Sequence, residues 1–321
     1  MMNFSQVSHF TLGAYVDPGP LRWLYFVIIL SVYVLILLSN LLLIIIICLN
    51  RTLHEPMYIF LCSLFMNELY GSTALFPLLL YQIPVDVHTV SPPFCFIQIF
   101  CIYSYVSIEF LTLAIMSYDR FLSICFPLQY STHMNVTKVF LLIAFSWFYP
   151  CVSILLLIIF SIPLQLCDNV IPKVYCDNYF IVKMACYDTK LNNIYGLIIT
   201  SVIVLGPLGM IFFTYLRILK VCFRGSKQTQ HKALNTCAPH LASIINFSFG
   251  VCFEVLQSRF DLKNVHKVLR VVLSLYFLAV QPLFNPLIKY HHSVLNVKLA
   301  CHECTCTDTG NTTHLFYKPP P

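Results

Sequence analysis

The chain has 321 residues, of which 59% are hydrophobic and only 10% are charged, and its mean hydropathy is +0.79. Soluble domains carry about 25% charged residues, so this composition excludes a soluble core of this size. The net charge of +6 could suggest nucleic-acid binding, but the basic residues lie at the ends of apolar stretches without the interleaved aromatic residues of a stacking surface. A membrane protein that binds no nucleic acid is predicted.

Seven apolar stretches are long enough to cross a bilayer, which takes about 20 helical residues. Only helices and closed barrels satisfy the backbone in lipid, and these stretches far exceed the roughly ten residues of a barrel strand. The sequence therefore predicts an all-α membrane protein, a single seven-transmembrane helix bundle. The sixth stretch is the least apolar, because it carries Pro239, His240, Asn246 and Glu254. The predicted spans are 23–49, 57–83, 94–124, 139–166, 194–219, 233–256 and 271–288.

Basic residues set the predicted orientation. The connection between the fifth and sixth spans is basic and contains no acid, whereas the connection between the fourth and fifth balances three Lys with three Asp. The positive-inside rule then places the N-terminus outside and the C-terminus inside. The basic residues near and within the first connection are Arg217, Lys220, Arg224, Lys227 and Lys232.

The chain therefore divides into an extracellular segment 1–22, a membrane domain 23–290 and a cytoplasmic tail 291–321. The first twenty residues lack the pattern of a removable signal peptide, so the first span is expected to act as the insertion signal. The sequon at Asn3 lies in an outside segment and predicts glycosylation there.

Four cysteines fall in segments assigned to the outside, Cys95 at the head of the third span and Cys167, Cys176 and Cys186 in the long fourth connection. Disulfides are expected in this oxidising compartment. Four cysteines allow three pairings, among which spacing does not choose.

Two acidic residues lie at the same predicted depth in the membrane. Glu109 precedes Arg120 by eleven positions, a rotation of about 1100°, so the two share one face of the third span and Glu109 lies roughly 16 Å deeper. Glu68 lies eleven positions into the second span from Met57, which gives it the same depth. Intramembrane acids are costly unless paired, and they usually mark function.

Two amides join this predicted polar layer. Asn40 lies eleven positions before Arg51 at the end of the first span, and Asn285 of the seventh span can approach beside Pro286. Two carboxylates and two amide oxygens suit a hard cation such as sodium, or a shared proton. The alternative is that one protonated glutamic acid only joins the helices by hydrogen bonds.

Signals for catalysis are absent from the sequence. It contains no HExxH, no GxSxG and no phosphate-binding glycine loop, and its nine Gly are scattered. His240 taken alone is more often a structural histidine than a base. We therefore predict that the protein is not an enzyme and that it has no cofactor, apart from the possible sodium ion.

Motifs along the chain resemble one family. The segments MSYDRF at 116–121 and ICFPLQY at 124–130 are similar to the MAYDRYVAICxPLxY signature of olfactory receptors, which are rhodopsin-like G-protein-coupled receptors. LHEPMY at 53–58, KALNTCAPH at 232–240 and PLFNP at 282–286 agree with it. The acid at Glu68, where mammalian members usually carry Asp, resembles the fish-type branch.

The resemblance implies roles for matching residues of the cytoplasmic end. Arg120 would bind Asp119 in the resting state and turn toward the G protein in the active state, with Tyr215 as its partner. His240, in the motif that opens the sixth span, would belong to the same switch.

The resemblance also implies that Glu68 and Glu109 form the family's sodium site. Its disulfides would join Cys95 to Cys176 and Cys167 to Cys186. Family position and helical phase together predict a mostly apolar pocket in the outer half of the bundle, suited to a small neutral ligand. Its predicted lining is Tyr103, Val106, Ser107, Thr200, Ile203, Phe249 and Phe253.

The predicted function is therefore that of a receptor in the plasma membrane, in contact with lipid, which binds a small-molecule odorant and activates a stimulatory heterotrimeric G protein. One alternative is a non-olfactory receptor, but amine recognition needs an acid in the outer half of the third span, and residues 101–107 contain none. A second alternative is a transporter or channel that uses Glu68 and Glu109, a class that often shows paired broken helices.

Overall fold

The computed structural model describes residues 7–15, 19–224, 227–259 and 267–288. The predicted glycosylation site at Asn3 and the predicted tail 291–321 lie outside the described residues.

The described residues contain six helices that are long and apolar enough to cross a membrane, and a bent pair that makes the seventh span. The seven-span helical fold is thus confirmed. The helices are α1 Arg22–Leu49, α2 Pro56–Gln82, α3 Pro92–Cys125, α4 Tyr130–His133, α5 Val136–Ser161, α6 Asn178–Lys183, α7 Lys190–Arg224, α8 Lys227–Arg259, α9 Lys267–Ala279 and α10 Gln281–Ile288. Short 3₁₀ turns occupy Gly19–Leu21, Arg51–Leu53 and Pro127–Gln129.

Local sequence explains where several helices begin and end. Pro56 and Pro92 stand at the first turns of α2 and α3, where a missing N–H costs nothing. The Asn135 side chain caps α5 by accepting from the backbone N–H of Lys138. The predicted fourth span ran to residue 166, but α5 ends at Ser161, because Pro163 follows and disfavours helix before it.

The third span occupies the centre of the bundle. In its most apolar stretch 72% of the residues are buried, against 17% in α1. Most large apolar side chains of α1 are exposed on the bundle surface, where lipid surrounds a membrane helix. Helix α3 packs on α2, α5, α7 and α8, and α1 lies at the periphery.

A small sheet and two disulfides hold the connections at one end of the bundle, which we call the loop end. Strand β1 (Phe10–Leu12) lies between β2 (Thr89–Val90), with which it is antiparallel, and β3 (Val170–Ile171), with which it is parallel. The structure joins Cys95 to Cys176 and Cys167 to Cys186, the pairs that the family resemblance implies. The first bond ties the long connection to the start of α3.

Close packing of α2 on α3 depends on one glycine. A Cβ atom on Gly71 would lie 2.3 Å from Cδ2 of the Tyr105 ring, which is less than any real contact of this kind. Tyr105 is fully buried, and its hydroxyl donates to Glu68. The glycine therefore gives the tyrosine ring its place between the helices.

We predict that Gly71→Ala destabilises the protein by about 1–3 kcal/mol, because the added methyl group overpacks a well-filled interface. The measurement is the midpoint of thermal unfolding of the purified protein in detergent. Gly209→Ala is the matched control, since no atom lies within 4 Å of its added Cβ. Alanine forms helix better than glycine by about 1 kcal/mol, so this control should be neutral or stabilising. Equal midpoints for the two variants would contradict the prediction.

Candidate functional site

A cavity of about 130 Å³ opens at the loop end of the bundle, between α3, α5, α7 and α8 and beneath the long connection. Its walls are mostly apolar. Five of the seven residues predicted from the sequence line it, namely Tyr103, Val106, Ser107, Thr200 and Ile203.

The prediction was wrong for Phe249 and Phe253, which do not line this cavity. Phe249 is 57% exposed and its ring packs on Tyr276 at the bundle surface, and Phe253 is half-buried. The reason is helical phase, because two positions along a helix turn a side chain by about 200°. The face of α8 that lines the cavity carries Val251, Glu254, Val255 and Ser258.

Glu254 is a lining residue that the sequence analysis did not assign to the pocket. The residue is only 8% exposed, in a helix that is otherwise mostly apolar near it. The sequence held a usable signal, because an ionisable residue within a span almost always faces the bundle interior.

The roof of the cavity is a charged cluster, which we call the roof cluster: Lys173, Tyr175, Asp177, Glu254 and Ser258. The Lys173 ammonium donates to Asp177 Oδ2 at 2.5 Å, to Ser258 Oγ at 2.7 Å and to Glu254 Oε1. The Tyr175 hydroxyl also donates to Glu254 Oε1. The cluster therefore joins the long connection to α8.

Two further donors hold Asp177. Its Oδ1 accepts from the Tyr103 hydroxyl at 3.1 Å and from the backbone N–H of Tyr179 at 2.8 Å. The second bond caps α6, and the first links the connection to α3.

Charge attraction keeps the connection's two buried charges ionised. Burial acts to lower the pKa of Lys173, but the nearby Asp177 and Glu254 carboxylates outweigh it and raise that pKa. Burial acts to raise the pKa of Asp177, but Lys173 and the hydrogen bonds to the carboxylate lower it. Both side chains therefore stay charged near neutral pH.

Deeper in the bundle, the predicted polar layer is present around Glu68 and Glu109, both fully buried. The Asn285 amide donates to Glu68 Oε1 at 2.5 Å and to Glu109 Oε1 at 3.2 Å. Tyr105 donates to Glu68 Oε2 at 3.0 Å, and Asn67 donates to Glu109 Oε2 at 3.0 Å. All four carboxylate oxygens thus accept a hydrogen bond from the protein.

Asn40 lies at this level but bonds to backbone instead of the carboxylates. Its amide donates to the carbonyl oxygen of Pro282 and to that of Ile36, each at 2.9 Å. Gln281, which the sequence analysis missed, takes the place expected for Asn40 and donates to Glu109 Oε1 at 3.2 Å. Its spacing of four residues from Asn285 on a helical turn was the available signal.

The oxygen atoms of the polar layer are suitable ligands for a hard cation. Among the described residues, the amide oxygens of Asn40 and Asn67 are buried without a hydrogen-bond partner. Carboxylate and amide oxygens are the ligands that hard cations prefer. No group of three or more His, Cys, Asp or Glu side chains in the described part of the chain could hold a metal ion, so amides would have to complete such a site.

The predicted switch lies at the opposite end of α3. Arg120 donates to Asp119 Oδ2 at 2.8 Å, with 17% of the arginine side chain exposed and none of the aspartate. The Tyr130 hydroxyl donates to the other oxygen of Asp119 at 2.7 Å, a partner that the sequence analysis did not assign. Burial and the Asp119 carboxylate raise the pKa of Tyr130, so its hydroxyl keeps its proton.

Tyr215 and His240 pair with each other in this structure. The Tyr215 hydroxyl and His240 Nδ1 lie 2.6 Å apart, and both side chains are buried. This contact ties α7 to α8 beside the ion pair of α3.

Comparisons with known proteins agree on a family. Residues 29–300 match the family model described as olfactory receptor. Olfactory receptor 1E16 of Mus musculus is 32% identical over 89% of this chain and 91% of its own length. Olfactory receptor 11A1 of Homo sapiens is 33% identical over 88% of this chain and 89% of its own. The crystal structure of squid rhodopsin superposes with a TM-score of 0.68 at 17% identity, covering 85% of this chain and 78% of that one.

The family match at residues 29–300 includes the residues of the cavity, the polar layer and the switch. They confirm a signalling receptor and not an enzyme, with no cofactor, in the plasma membrane as a multi-pass protein. The chain belongs to the olfactory receptor family of rhodopsin-like G-protein-coupled receptors.

Proposed function

We propose that the protein binds a small odorant in the cavity at the loop end and, in response, activates a stimulatory heterotrimeric G protein at the opposite end. The proposal assigns the loop end to the outside and the Arg120 end to the cytoplasm. The observation that carries it is the arrangement on α3, where Tyr103 and Ser107 line the cavity, Glu109 lies in the polar layer and Arg120 forms the ion pair.

The cavity supports binding of a compact ligand. Its walls supply apolar area, and the hydroxyls of Ser107 and Thr200 supply polar contacts. Ser107 donates its proton to the carbonyl oxygen of Tyr103 at 2.7 Å, so its oxygen is available to accept from a ligand.

Signalling requires the cytoplasmic ends of the spans to separate. The Tyr215–His240 hydrogen bond between α7 and α8 opposes this, and the Asp119–Arg120 ion pair within α3 holds Arg120 away from other partners. A ligand that binds the open packing better than the closed one shifts the equilibrium toward opening. We propose that opening frees both Arg120 and Tyr215, which can then pair with each other.

Glu68 and Glu109, with the Asn67 and Asn285 amides beside them, are the residues that would hold a sodium ion. Bound there, the ion would offset one of the two carboxylate charges. The carboxylates come from α2 and α3, and Asn285 comes from α10, so their bonds favour the packing in which these helices meet.

The cavity is tested by expressing the chain in cells with a cAMP readout and a panel of water-soluble odorants. For an active odorant, we predict that Ser107→Ala raises the half-maximal concentration about two- to tenfold, which corresponds to the loss of one neutral hydrogen bond. Phe249→Leu is the control, because this side chain lies on the outer surface, and its response should be unchanged. A shift for Phe249→Leu with none for Ser107→Ala would place the ligand elsewhere.

We predict that Arg120→Ala leaves ligand affinity within about twofold, since Arg120 lies away from the cavity, and abolishes agonist-dependent nucleotide exchange on the G protein. Exchange is measured on purified receptor, in the native chain and in a chimera that carries the tail of the mouse relative. Normal exchange by the variant would refute the role assigned to Arg120.

We predict that Glu109→Gln removes the difference between agonist responses in sodium and potassium buffers, because the neutral amide no longer offers a charge to a cation. The measurement is nucleotide exchange at equal ionic strength. Asp188→Asn is the charge-matched control, since Asp188 pairs with Lys190 on the exposed connection. Equal responses of the parent receptor in the two salts, with Glu109→Gln indistinguishable from it, would reduce the carboxylates to a structural role.

A further inference from the structure

One buried charge at the cavity wall has an oxygen without a partner. Glu254 is 8% exposed and lines the cavity, and its Oε1 accepts from Lys173 and Tyr175. Its Oε2 is buried and has no hydrogen-bond partner among the residues that the structure describes. A carboxylate oxygen only accepts hydrogen bonds, so this atom needs a donor.

The described residues around that oxygen add little positive charge beyond Lys173. An ammonium group has three donor hydrogens, and Lys173 gives them to Asp177, Glu254 and Ser258. The roof cluster thus holds one cation against two carboxylates. Arg259 also lines the cavity, but it is exposed and its guanidinium lies 4.3 Å from the centroid of the Tyr179 ring, so solvent screens its charge.

We propose that the ligand is a small protonated amine whose N–H group donates to the Glu254 carboxylate, once a turn of that side chain presents the occluded Oε2 to the cavity, while its apolar body contacts the walls formed by α3 and α7. The amine supplies both the missing donor and the charge that balances the second carboxylate. This inference rests on the proposed function and names the ligand class of the same cavity.

The cavity volume sets the size of the amine. A cavity of about 150 Å³ accommodates benzene in another protein, and the volume here is about 130 Å³. The ligand therefore has roughly six to eight non-hydrogen atoms.

The sequence argument against an amine looked for the counter-ion on the wrong helix. Residues 101–107 of α3 carry no acid, but α8 supplies Glu254 to the same cavity. A carboxylic acid fits poorly, because its charge would lie beside Glu254 and Asp177 while Lys173 has no donor left. A neutral alcohol can donate one hydrogen bond but balances no charge.

The test is direct binding to purified receptor in nanodiscs, by thermal stabilisation with pentylamine, 1-pentanol and pentanoate. At about pH 7 the amine is protonated, since alkylammonium groups have a pKa of about 10.4. A ligand that binds only the folded state raises the unfolding midpoint according to its affinity. We expect pentylamine to bind at least about tenfold more tightly than 1-pentanol, and pentanoate to produce no shift.

The variant Glu254→Gln keeps the side-chain volume and removes the charge. We expect it to weaken pentylamine about 10- to 100-fold, the value of a hydrogen bond to a charged group, and to leave 1-pentanol unchanged. Asp188→Asn removes one charge from the same connection away from the cavity and should leave all three ligands unaffected.

Two results would overturn the proposal: 1-pentanol or pentanoate binding as tightly as pentylamine, or pentylamine affinity unchanged in Glu254→Gln. If that variant does not fold, the relative affinities of the three ligands for the parent receptor still test the proposal. Nucleotide exchange separates this inference from the proposed function. Amine binding without exchange would refute only the function, and exchange driven by other odorants without amine binding would refute only the amine.

Discussion

The packing of this receptor depends on two buried carboxylates that cannot be hydrated. Glu68 on α2 and Glu109 on α3 are fully buried, and lipid offers no donor to replace water. Their four oxygens are satisfied by side chains of α2, α3 and α10, with Asn285 donating to both acids. These bonds therefore favour one relative position of the three helices. The break between α9 and α10, a bend of 44°, lies beside the donors from α10.

Helix α3 links the three sites, because it carries a part of each. A hydroxyl of α3 meets the loop-end connection at Asp177, a carboxylate of α3 accepts from α10, and the ion pair of α3 lies next to the Tyr215–His240 contact. The disulfide from Cys95 to Cys176 holds the start of α3 to the same connection. A tilt of α3 changes all these contacts together, since a packed helix moves as a rigid element.

The sequence predicted the parts of the structure that depend on apolar length and on depth. The positions of the spans follow from the hydrophobic stretches. The equal spacing of Glu68 and Glu109 from the ends of their spans predicts that the two residues lie at the same depth in the membrane. The face of α8 was misassigned, because the lining residues were taken from family position and helical phase and not from Glu254, although an ionisable residue within a span usually faces the interior. The misassigned Phe249 and the overlooked Glu254 are two results of that choice. The roof cluster was also not predicted. The long connection between the fourth and fifth spans has equal numbers of Lys and Asp residues, and these numbers do not indicate which charged side chains are buried together. The fish-type assignment stays a prediction.

The polar layer and the roof cluster differ in how many of their carboxylate oxygens accept a hydrogen bond. The polar layer gives every carboxylate oxygen a donor, whereas the roof cluster leaves Glu254 Oε2 without one among the described residues. An unsatisfied buried acceptor costs about 1–3 kcal/mol, so a ligand that donates to this oxygen gains free energy of that order. Glu254 lies on α8, while its partner Lys173 lies on the connection that a disulfide fixes to α3. A ligand at this oxygen therefore acts where α8 meets α3, and its binding depends on how those two helices are placed.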